Sequence, residues 1–238
     1  MKILNLEKNE VVENPDVIWT GFQRIDEELL NKYPSVKLVA SRTTALDHVD
    51  LELLKERNID FISLRGSDLN YIVAVPELCL LKMLELVRRD RKELKGKTIG
   101  VIGGQGRIGR WLVQYAWMLG MNPISFDKGD TLDLGKCDIV SLNITADEEN
   151  RGFMNRQKFE QMKDGAYFLN SARPWLVDED AFKWALENKL TGAWVDFDLG
   201  FTHPRLITTP HIGGSTIESK EKTEKILMDK ILQWEKSR

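Results

Sequence analysis

The fold of this chain is decided by the stretch TIGVIGGQGRIG, residues 98–109. A buried-strand pattern over residues 98–102 leads into G-x-G-x-x-G at residues 104–109, and a helical pattern runs on to Leu119. The first glycine of such a motif permits a tight turn, the second permits close approach to a pyrophosphate, and the third lets the helix pack on the strand. The helix N-terminus then offers unpaired N–H groups to phosphates. We therefore predict a dinucleotide-binding turn.

Short apolar segments alternate with helical patterns along most of the chain. The segments are continuously apolar, which is typical of parallel strands covered on both faces. This alternation predicts an α/β fold with a doubly wound parallel sheet. Helix-capping signals fit it, with Asn155 and Asp178 before two helices and Gly120 after another. The predicted strands span residues 17–20, 37–40, 61–64, 98–102, 124–126, 138–142, 166–169, 193–195 and 206–208.

The chain length predicts two modest domains or one large one. The protein has 238 residues, and a domain commonly has roughly 100–200. We predict a Rossmann-type domain over residues 91–215 and a smaller α/β domain over residues 1–90. A charged amphipathic helix, residues 216–238, is expected to dock on the body and to complete the smaller domain.

Composition excludes several classes of function. The 34 basic and 37 acidic residues give a net charge of -3, so no basic surplus favours nucleic-acid binding. No apolar run reaches the roughly 18 residues of a membrane helix, and the first residues become charged too early for a signal peptide. The two cysteines, Cys79 and Cys137, lie far apart, so neither a disulfide framework nor a metal site is expected. A cytoplasmic location is predicted.

Asp127 stands at the end of the second strand of the Rossmann pattern. A carboxylate there accepts hydrogen bonds from an adenosine ribose and repels a 2′-phosphate. This favours NAD over NADP as the cofactor. The neighbouring Lys128 weakens the preference without reversing it.

Four further segments carry a family resemblance. They are NSAR at residues 170–173, GAWVD at 192–196, TPHIGGS at 209–215 and LDHVDL at 46–51. With these segments in order, the chain resembles the D-isomer-specific 2-hydroxyacid dehydrogenases, which include phosphoglycerate dehydrogenase-like enzymes. The resemblance implies a Rossmann NAD-binding domain and a truncated, flavodoxin-like substrate domain.

The resemblance also implies an NAD-dependent oxidoreductase acting on a small anionic 2-keto or 2-hydroxy acid. Arg173 would bind the carboxylate and polarise the carbonyl, and His211 would be the acid/base. Asp196 would lie on the nicotinamide side. His48 matches a motif next to a substrate-binding loop, whereas His203 is interpreted as a surface residue. The expected cofactor-binding residues are Gly104, Gly106, Arg107, Ile108, Gly109, Asp127, Asn143, Ala172, Asp196 and Gly213.

Three departures from the family pattern affect function. The family has a catalytic glutamate after the Asp196 strand, but no Glu or Gln occurs between Phe197 and His211, and Asp198 is the only nearby carboxylate. The substrate loop, residues 42–46, lacks the usual two glycines. Arg42 or Arg65 could add a second cation for substrate, although we favour a surface position for both. Residues 92–96 replace the usual dimerisation arm, so a homodimer would form without it.

Two hypotheses therefore stand. In the first, the protein is an NAD(H)-dependent D-2-hydroxyacid dehydrogenase. In the second, it binds NAD(H) as a regulatory or partner protein whose catalysis was impaired by the loss of the glutamate. Without that partner His211 would be protonated less at neutral pH.

Overall fold

The computed structural model describes residues 1–8 and 10–238 and divides the chain into two compact units. Unit 1 comprises residues 1–68 and 217–238, and unit 2 comprises residues 69–216. Each unit is built around its own parallel sheet. The α/β class predicted from the alternating pattern is confirmed.

Unit 1 has four parallel strands in the order β1-β2-β3-β4. This is the flavodoxin order 2-1-3-4-5 without strand 2, the outer strand at one edge. β1 was not predicted, because three residues with only Leu4 buried make too short an apolar pattern. The elements of unit 1 are β1 (Ile3–Asn5), β2 (Val17–Thr20), α1 (Glu27–Lys32), β3 (Leu38–Ser41), α2 (Leu51–Glu56), β4 (Asp60–Ser63) and α7 (Ile217–Lys236).

The C-terminal helix α7 packs on β3 and β4 of the unit 1 sheet. Its buried face includes Leu227 and Ile231. Near its end the indole Nε1 of Trp234 donates a 2.7 Å hydrogen bond to Asp60 Oδ2. One turn earlier, Lys230 Nζ donates to the carbonyl of Ser63 at 2.9 Å. Apolar burial and these two bonds tie α7 to β4.

Unit 2 has six parallel strands in the order β10-β9-β8-β7-β5-β6. The order reverses beside β5, which pairs with β6 on one side and with β7 on the other. A crevice at such a reversal is the usual ligand site of open α/β sheets. Its elements are α3 (Ala74–Arg89), β5 (Thr98–Ile102), α4 (Arg107–Met118), β6 (Asn122–Phe126), β7 (Ile139–Leu142), α5 (Arg156–Gln161), β8 (Ala166–Asn170), α6 (Glu179–Asn188), β9 (Leu190–Val195) and β10 (Leu206–Thr208).

Apolar layers cover both faces of the unit 2 sheet. On one face Phe159 of α5, Phe168 of β8 and Phe182 of α6 lie with ring centroids 5.3 to 5.9 Å apart. On the other face α3 and α4 pack against the sheet, where Trp194 is fully buried. This two-sided burial explains why the strands read as continuous apolar runs.

The contact boundary between the units lies one helix earlier than the predicted boundary at residues 90 and 91. Helix α3 belongs to unit 2, because Met83 and Leu86 pack with Ile99 and Trp194 of its sheet. The charged segment after α3, residues 90–97, leads directly to β5 without an intervening arm.

The strands of unit 2 are paired in register at their carboxyl ends. Phe126, Ile102 and Leu142 are successive partners across β6, β5 and β7, and Asn170 and Val195 continue the row across β8 and β9. The residues that follow these strands therefore line one edge. Four strand spacings of about 4.8 Å make that edge roughly 19 Å long from β6 to β9.

Three structural findings concern membranes, metals and cysteines. No helix in the described ranges is long and apolar enough to cross a membrane. Within residues 1–8 and 10–238, no group of three or more His, Cys, Asp or Glu side chains is placed to hold a metal ion. Cys79 and Cys137 are both buried and form no disulfide.

Replacement of Leu227 by alanine tests the docking of α7. Leu227 is 0% exposed, and truncating such a side chain costs about 2–5 kcal/mol. We expect Leu227→Ala to lower the free energy of unfolding by that amount in urea titrations followed by circular dichroism. Leu232→Ala is the matched control, because Leu232 on the same helix is 41% exposed. Equal losses for both variants would contradict the docking.

Candidate active site

Three glycines of the turn between β5 and α4 have no room for a side chain. Gly103 has a φ of +82°, and a Cβ on it would lie 2.7 Å from the carbonyl oxygen of Asn143. A Cβ on Gly104 would lie 2.0 Å from Ser125 Oγ, and one on Gly109 would lie 2.1 Å from Gly103 O. Gly106, at the N-cap, provides no side-chain cap for α4. The turn therefore presents uncapped helical N–H groups beside bare backbone.

Arg107 is the first residue of α4 and places a cation beside this turn. Its side chain is half-buried, and burial lowers the pKa of its guanidinium. It forms no hydrogen bond or ion pair with any residue that the structure describes. Ile108, next along, is partly buried against the core beneath α4. An unpaired cation at a helix N-terminus fits the pyrophosphate of a dinucleotide.

Asp127 follows β6, and its side chain is hydrogen-bonded to the glycine turn between β5 and α4. Its two carboxylate oxygens accept hydrogen bonds from the backbone N–H of Gln105 at 3.1 and 3.2 Å. Ser125 Oγ donates to the same carboxylate at 2.8 Å. Lys128 pairs with Glu149 at 3.3 Å, so its charge has a carboxylate partner. The geometry keeps a negative charge where the sequence predicted a ribose contact.

Asn143 follows β7 at the point where the sheet order reverses. Its Nδ2 donates to the carbonyl and to the hydroxyl of Ser141, both at 3.1 Å. The backbone carbonyl oxygen of Asn143 lies against Gly103, where a Cβ would come within 2.7 Å of it. Asn143 thus lies in the middle of the edge, between the glycine turn and the residues that follow β8.

Asn170 ends β8 and shapes the backbone that carries Arg173. Its fully buried side chain accepts from the N–H of Ala172 at 2.9 Å and donates to the carbonyl of Arg173 at 3.0 Å. Arg173 is half-buried, and its Nη1 donates to Ala172 O at 2.9 Å. The predicted Ala172 and Arg173 therefore lie on one short, internally bonded turn.

Asp196 follows β9 and binds the loop that carries His211. Its Oδ1 accepts from Thr209 Oγ1 at 2.6 Å and from the N–H of Ile212 at 2.9 Å. Its Oδ2 accepts from the N–H of Gly213 at 2.7 Å. His211 itself has a φ of +55°, a left-handed conformation that is rare outside glycine. The structure thus brings Asp196, His211 and Gly213 together.

Asp198, the carboxylate nearest to the missing glutamate in sequence, bonds within its own loop. It is exposed, and its Oδ1 accepts a 2.9 Å hydrogen bond from the N–H of Gly200. No bond joins Asp198 to His211 in the part of the chain that the structure describes. In the same loop His203 Nδ1 accepts from the N–H of Arg205 at 3.2 Å, so this histidine stabilises a turn.

In unit 1, Arg42 is not a surface residue. Its side chain is only 10% exposed, and its guanidinium binds both carboxylate oxygens of Glu7. Glu7 also accepts from Trp19 Nε1 at 3.1 Å. The predicted surface position was wrong for Arg42, because a sequence does not reveal a partner thirty-five residues away. Arg65 is exposed.

The hydroxyls of Ser41, at the end of β3, and of Thr43, after it, form hydrogen bonds with nearby residues of unit 1. Ser41 Oγ lies 2.9 Å from Thr43 Oγ1, which donates to Ala45 O at 2.7 Å. Ser41 Oγ is also 3.0 Å from Nε2 of His48. These contacts place His48 against the loop, as the motif suggested, through the hydroxyl of Ser41.

Known proteins resemble this chain over the region that holds the site. Residues 85–213 match the family model of the D-isomer specific 2-hydroxyacid dehydrogenase, NAD binding domain. The chain belongs to this family. The match covers every site residue described in unit 2, from the glycine turn to Gly213, so unit 2 is the NAD-binding domain of a D-2-hydroxyacid dehydrogenase family member.

Individual relatives of this D-2-hydroxyacid dehydrogenase family member differ in length. The hydroxypyruvate reductase of Thermotoga maritima is 26% identical, over 96% of this chain and 89% of its own. The D-lactate dehydrogenase of Lactiplantibacillus plantarum is 30% identical, over 81% of this chain and 67% of its own. The erythronate-4-phosphate dehydrogenase of Shewanella halifaxensis is 27% identical, and the chain spans 65% of its length.

The fold is also that of solved family structures. D-lactate dehydrogenase from Aquifex aeolicus, complexed with NAD and lactic acid, superposes with a TM-score of 0.78 and 25% identity. The similarity covers 98% of this chain and 87% of that one. Both sheets of this chain therefore have counterparts in a known D-lactate dehydrogenase.

Sequence reasoning missed three residues that shape the site. Gly103 has the positive φ, although the motif was read from Gly104 onward. Asn170 and Thr209 act through hydrogen bonds that only the folded chain forms. One signal was present, since both are polar residues at the end of an apolar strand segment.

Substitution of Gly109 tests the close packing of the cofactor turn. A Cβ there meets backbone, which cannot move aside, and such overpacking costs about 1–3 kcal/mol. We expect Gly109→Ala to lower stability by this amount and to weaken NADH binding measured by calorimetry. Gly135→Ala is the control, since its Cβ would meet Gln161 O at an ordinary 3.4 Å. Unchanged stability and binding in Gly109→Ala would refute the packing argument.

The Glu7–Arg42 pair predicts a pH-dependent stability. The hydrogen bond from Arg42 holds the pKa of the Glu7 carboxyl below its ordinary 4.5. A lowered pKa stabilises the fold above pH 4.5, and the contribution is lost as the pH falls through the folded-state pKa. We expect Glu7→Gln to cost about 1–3 kcal/mol at pH 7, by urea titration.

The difference between wild type and Glu7→Gln should shrink on acidification below pH 4.5. The exposed Glu28 offers the control, because Glu28→Gln should change stability by less than about 0.5 kcal/mol at either pH. A Glu7→Gln effect that stayed constant with pH would show that the carboxylate charge is not involved.

Proposed function

We propose that this protein is an NAD(H)-dependent oxidoreductase that interconverts a small 2-keto acid and a D-2-hydroxy acid. The observation that carries the proposal is the in-register edge of unit 2. There an acidic group, a glycine turn, an arginine turn and a histidine loop follow neighbouring parallel strands. Family membership supports the same reaction class.

The cofactor residues would bind along that edge in the order of the strands, from β6 through β5 and β7 toward β9. The turn from Gly103 to Gly109, with Arg107, would bind the pyrophosphate, and Asp127 would accept from the adenosine ribose. Asn143, Ala172, Asp196 and Gly213 lie at or beside the ends of the next strands toward β9. Bound NAD(H) would supply or accept the hydride. The tight glycine packing fits a ligand that needs close backbone approach.

Arg173 would bind the substrate carboxylate and polarise its carbonyl. A guanidinium forms paired hydrogen bonds with a carboxylate, which fixes the orientation of the acid as well as binding it. The turn built on Asn170 holds the backbone of Arg173 in place. Such a fixed cation stabilises negative charge as it develops on the carbonyl oxygen.

His211 would exchange the proton with the 2-oxygen of the substrate. An imidazole is the side chain best suited to proton transfer near neutral pH. In the direction of reduction, the protonated ring would donate to the alkoxide oxygen. In the direction of oxidation, the neutral ring would remove the hydroxyl proton.

The second candidate function is NAD(H) binding without turnover, in a regulatory or partner role. The position of Asp198 favours it, since this carboxylate bonds to Gly200 rather than to His211. The two functions share the cofactor site and differ only in catalysis.

We also propose a cytoplasmic location and a homodimer that forms without the dimerisation arm. The two buried cysteines without a disulfide fit a reducing compartment. The direct connection from α3 to β5 over residues 90–97 contains no such arm, so a homodimer would have to form through other surfaces.

Turnover of a panel of 2-keto acids with NADH tests the reaction. We expect oxidation of NADH, followed by its absorbance, and a D-hydroxy product by chiral chromatography. Arg173→Lys and His211→Gln should each lower kcat/KM by about 10²–10⁴-fold while the Kd for NADH changes little. His203→Gln, which alters a turn outside the edge, is the matched control and should keep wild-type activity.

The panel also separates the two candidates. Tight NADH binding with no turnover of any keto acid would exclude the dehydrogenase and support the binding role. Equal activity of wild type and His211→Gln would remove His211 from the mechanism.

A further inference from the structure

The carboxylate of Asp196 lies inside the loop that carries His211. Asp196 is 2% exposed, and its carboxylate accepts three hydrogen bonds, all from residues 209–213. One donor, Thr209, precedes His211, and the other two, Ile212 and Gly213, follow it. The loop is therefore bonded to a single buried anion on both sides of the histidine.

The direction of the hydrogen bonds around Thr209 follows from chemistry. Trp194 Nε1 lies 3.0 Å from Thr209 Oγ1, and an indole can only donate. The hydroxyl must therefore accept from Trp194 and give its single proton to Asp196. Trp194 is fully buried in the core of unit 2. A series of hydrogen bonds thus runs from Trp194 in the core through Thr209 to the carboxylate of Asp196.

The two backbone donors form a small anion-binding nest. Successive N–H groups that converge on one anion are typical of such nests, and here Ile212 and Gly213 are successive. The nest leaves no room for a larger residue, since a Cβ on Gly213 would lie 2.8 Å from Asp196 Oδ2 and 3.3 Å from Val75 Cγ2. The carboxylate of Asp196 therefore occupies this nest.

The left-handed backbone of His211 requires such an anchor. A non-glycine residue in that region costs about 1–3 kcal/mol, and it persists only where its surroundings hold it. The bonds from Thr209, Ile212 and Gly213 surround His211 and provide that constraint. An ionised carboxylate has about four acceptor positions, and the loop takes three of them.

We propose that Asp196 and Thr209 are positioning residues, which hold the imidazole of His211 in place through this loop. The inference rests on the proposed function, in which His211 exchanges the proton. It assigns Thr209 a role that is separate from cofactor binding, and it gives the Asp196 carboxylate a role in the loop besides its place in the cofactor site.

Variants of Thr209 test the proposal without removing the carboxylate. Thr209→Val preserves side-chain shape but removes the donor to Asp196, whereas Thr209→Ser keeps the hydroxyl. We expect kcat to fall about 10-fold or more in Thr209→Val, with the calorimetric Kd for NADH within about twofold of wild type. Thr209→Ser should restore kcat to within about threefold.

Thr208→Val is the matched control, because Thr208 is the neighbouring residue and is exposed. It should keep wild-type kcat. The proposal is overturned if Thr209→Val keeps its kcat, or if Thr209→Ser is as impaired as Thr209→Val. It is also overturned if the affinity for NADH falls in proportion to kcat, because Thr209 would then serve cofactor binding.

Hydrogen exchange provides a readout that does not depend on turnover. In the protein without substrate, we expect the amide protons of Ile212 and Gly213 to exchange faster in Thr209→Val than in Thr208→Val. Unchanged exchange would overturn the positioning role even if the enzyme is active. Faster exchange in a protein that turns over no keto acid would support the positioning role and refute the proposed function.

Discussion

Parallel strand pairing in unit 2 is the constraint on which the candidate site depends. Because β6, β5, β7, β8 and β9 are paired in register at their carboxyl ends, the residues that follow them share one edge. Asp127, Gly103, Asn143 and Asp196 each come directly after a strand of that row. A shift of one residue in any strand would exchange its side chains between two apolar layers that are packed differently, and would move the residue after the strand by about 3.3 Å along the edge. Burial on both faces therefore also places the site.

Buried polar groups then refine the edge. Asn170 closes the turn that carries Arg173, and Asp196 holds the loop that carries His211. Each of these side chains is almost fully buried and has its hydrogen-bonding groups paired with nearby backbone. Loss of one partner would leave a polar group unsatisfied, which is expensive in a low-dielectric interior. The requirement that buried polar groups be paired therefore keeps the site rigid.

Sequence patterns predicted the larger elements well and their polar contacts poorly. The strand at 98–102 and the helices capped by Asn155 and Asp178 have strong local signals, and the structure has them. β1 was missed because it is short and only one of its residues is buried. Helix α3 was assigned to the wrong side of the domain boundary, because an amphipathic pattern does not identify the sheet on which it packs. The Glu7–Arg42 pair had no local signal either.

The sequence by itself determined the α/β class, the glycine turn and the family, because these depend on periodicity and on motifs within short segments. Tertiary structure decided which partner each polar side chain has. In the folded chain Asp198 accepts a hydrogen bond from Gly200, and Arg42 pairs with Glu7. The carboxylate of Asp196 is hydrogen-bonded to the loop that carries His211. The physical reason is that apolar burial follows local patterns, whereas hydrogen bonds between distant residues depend on distances of a few tenths of an ångström, which exist only once the chain has packed.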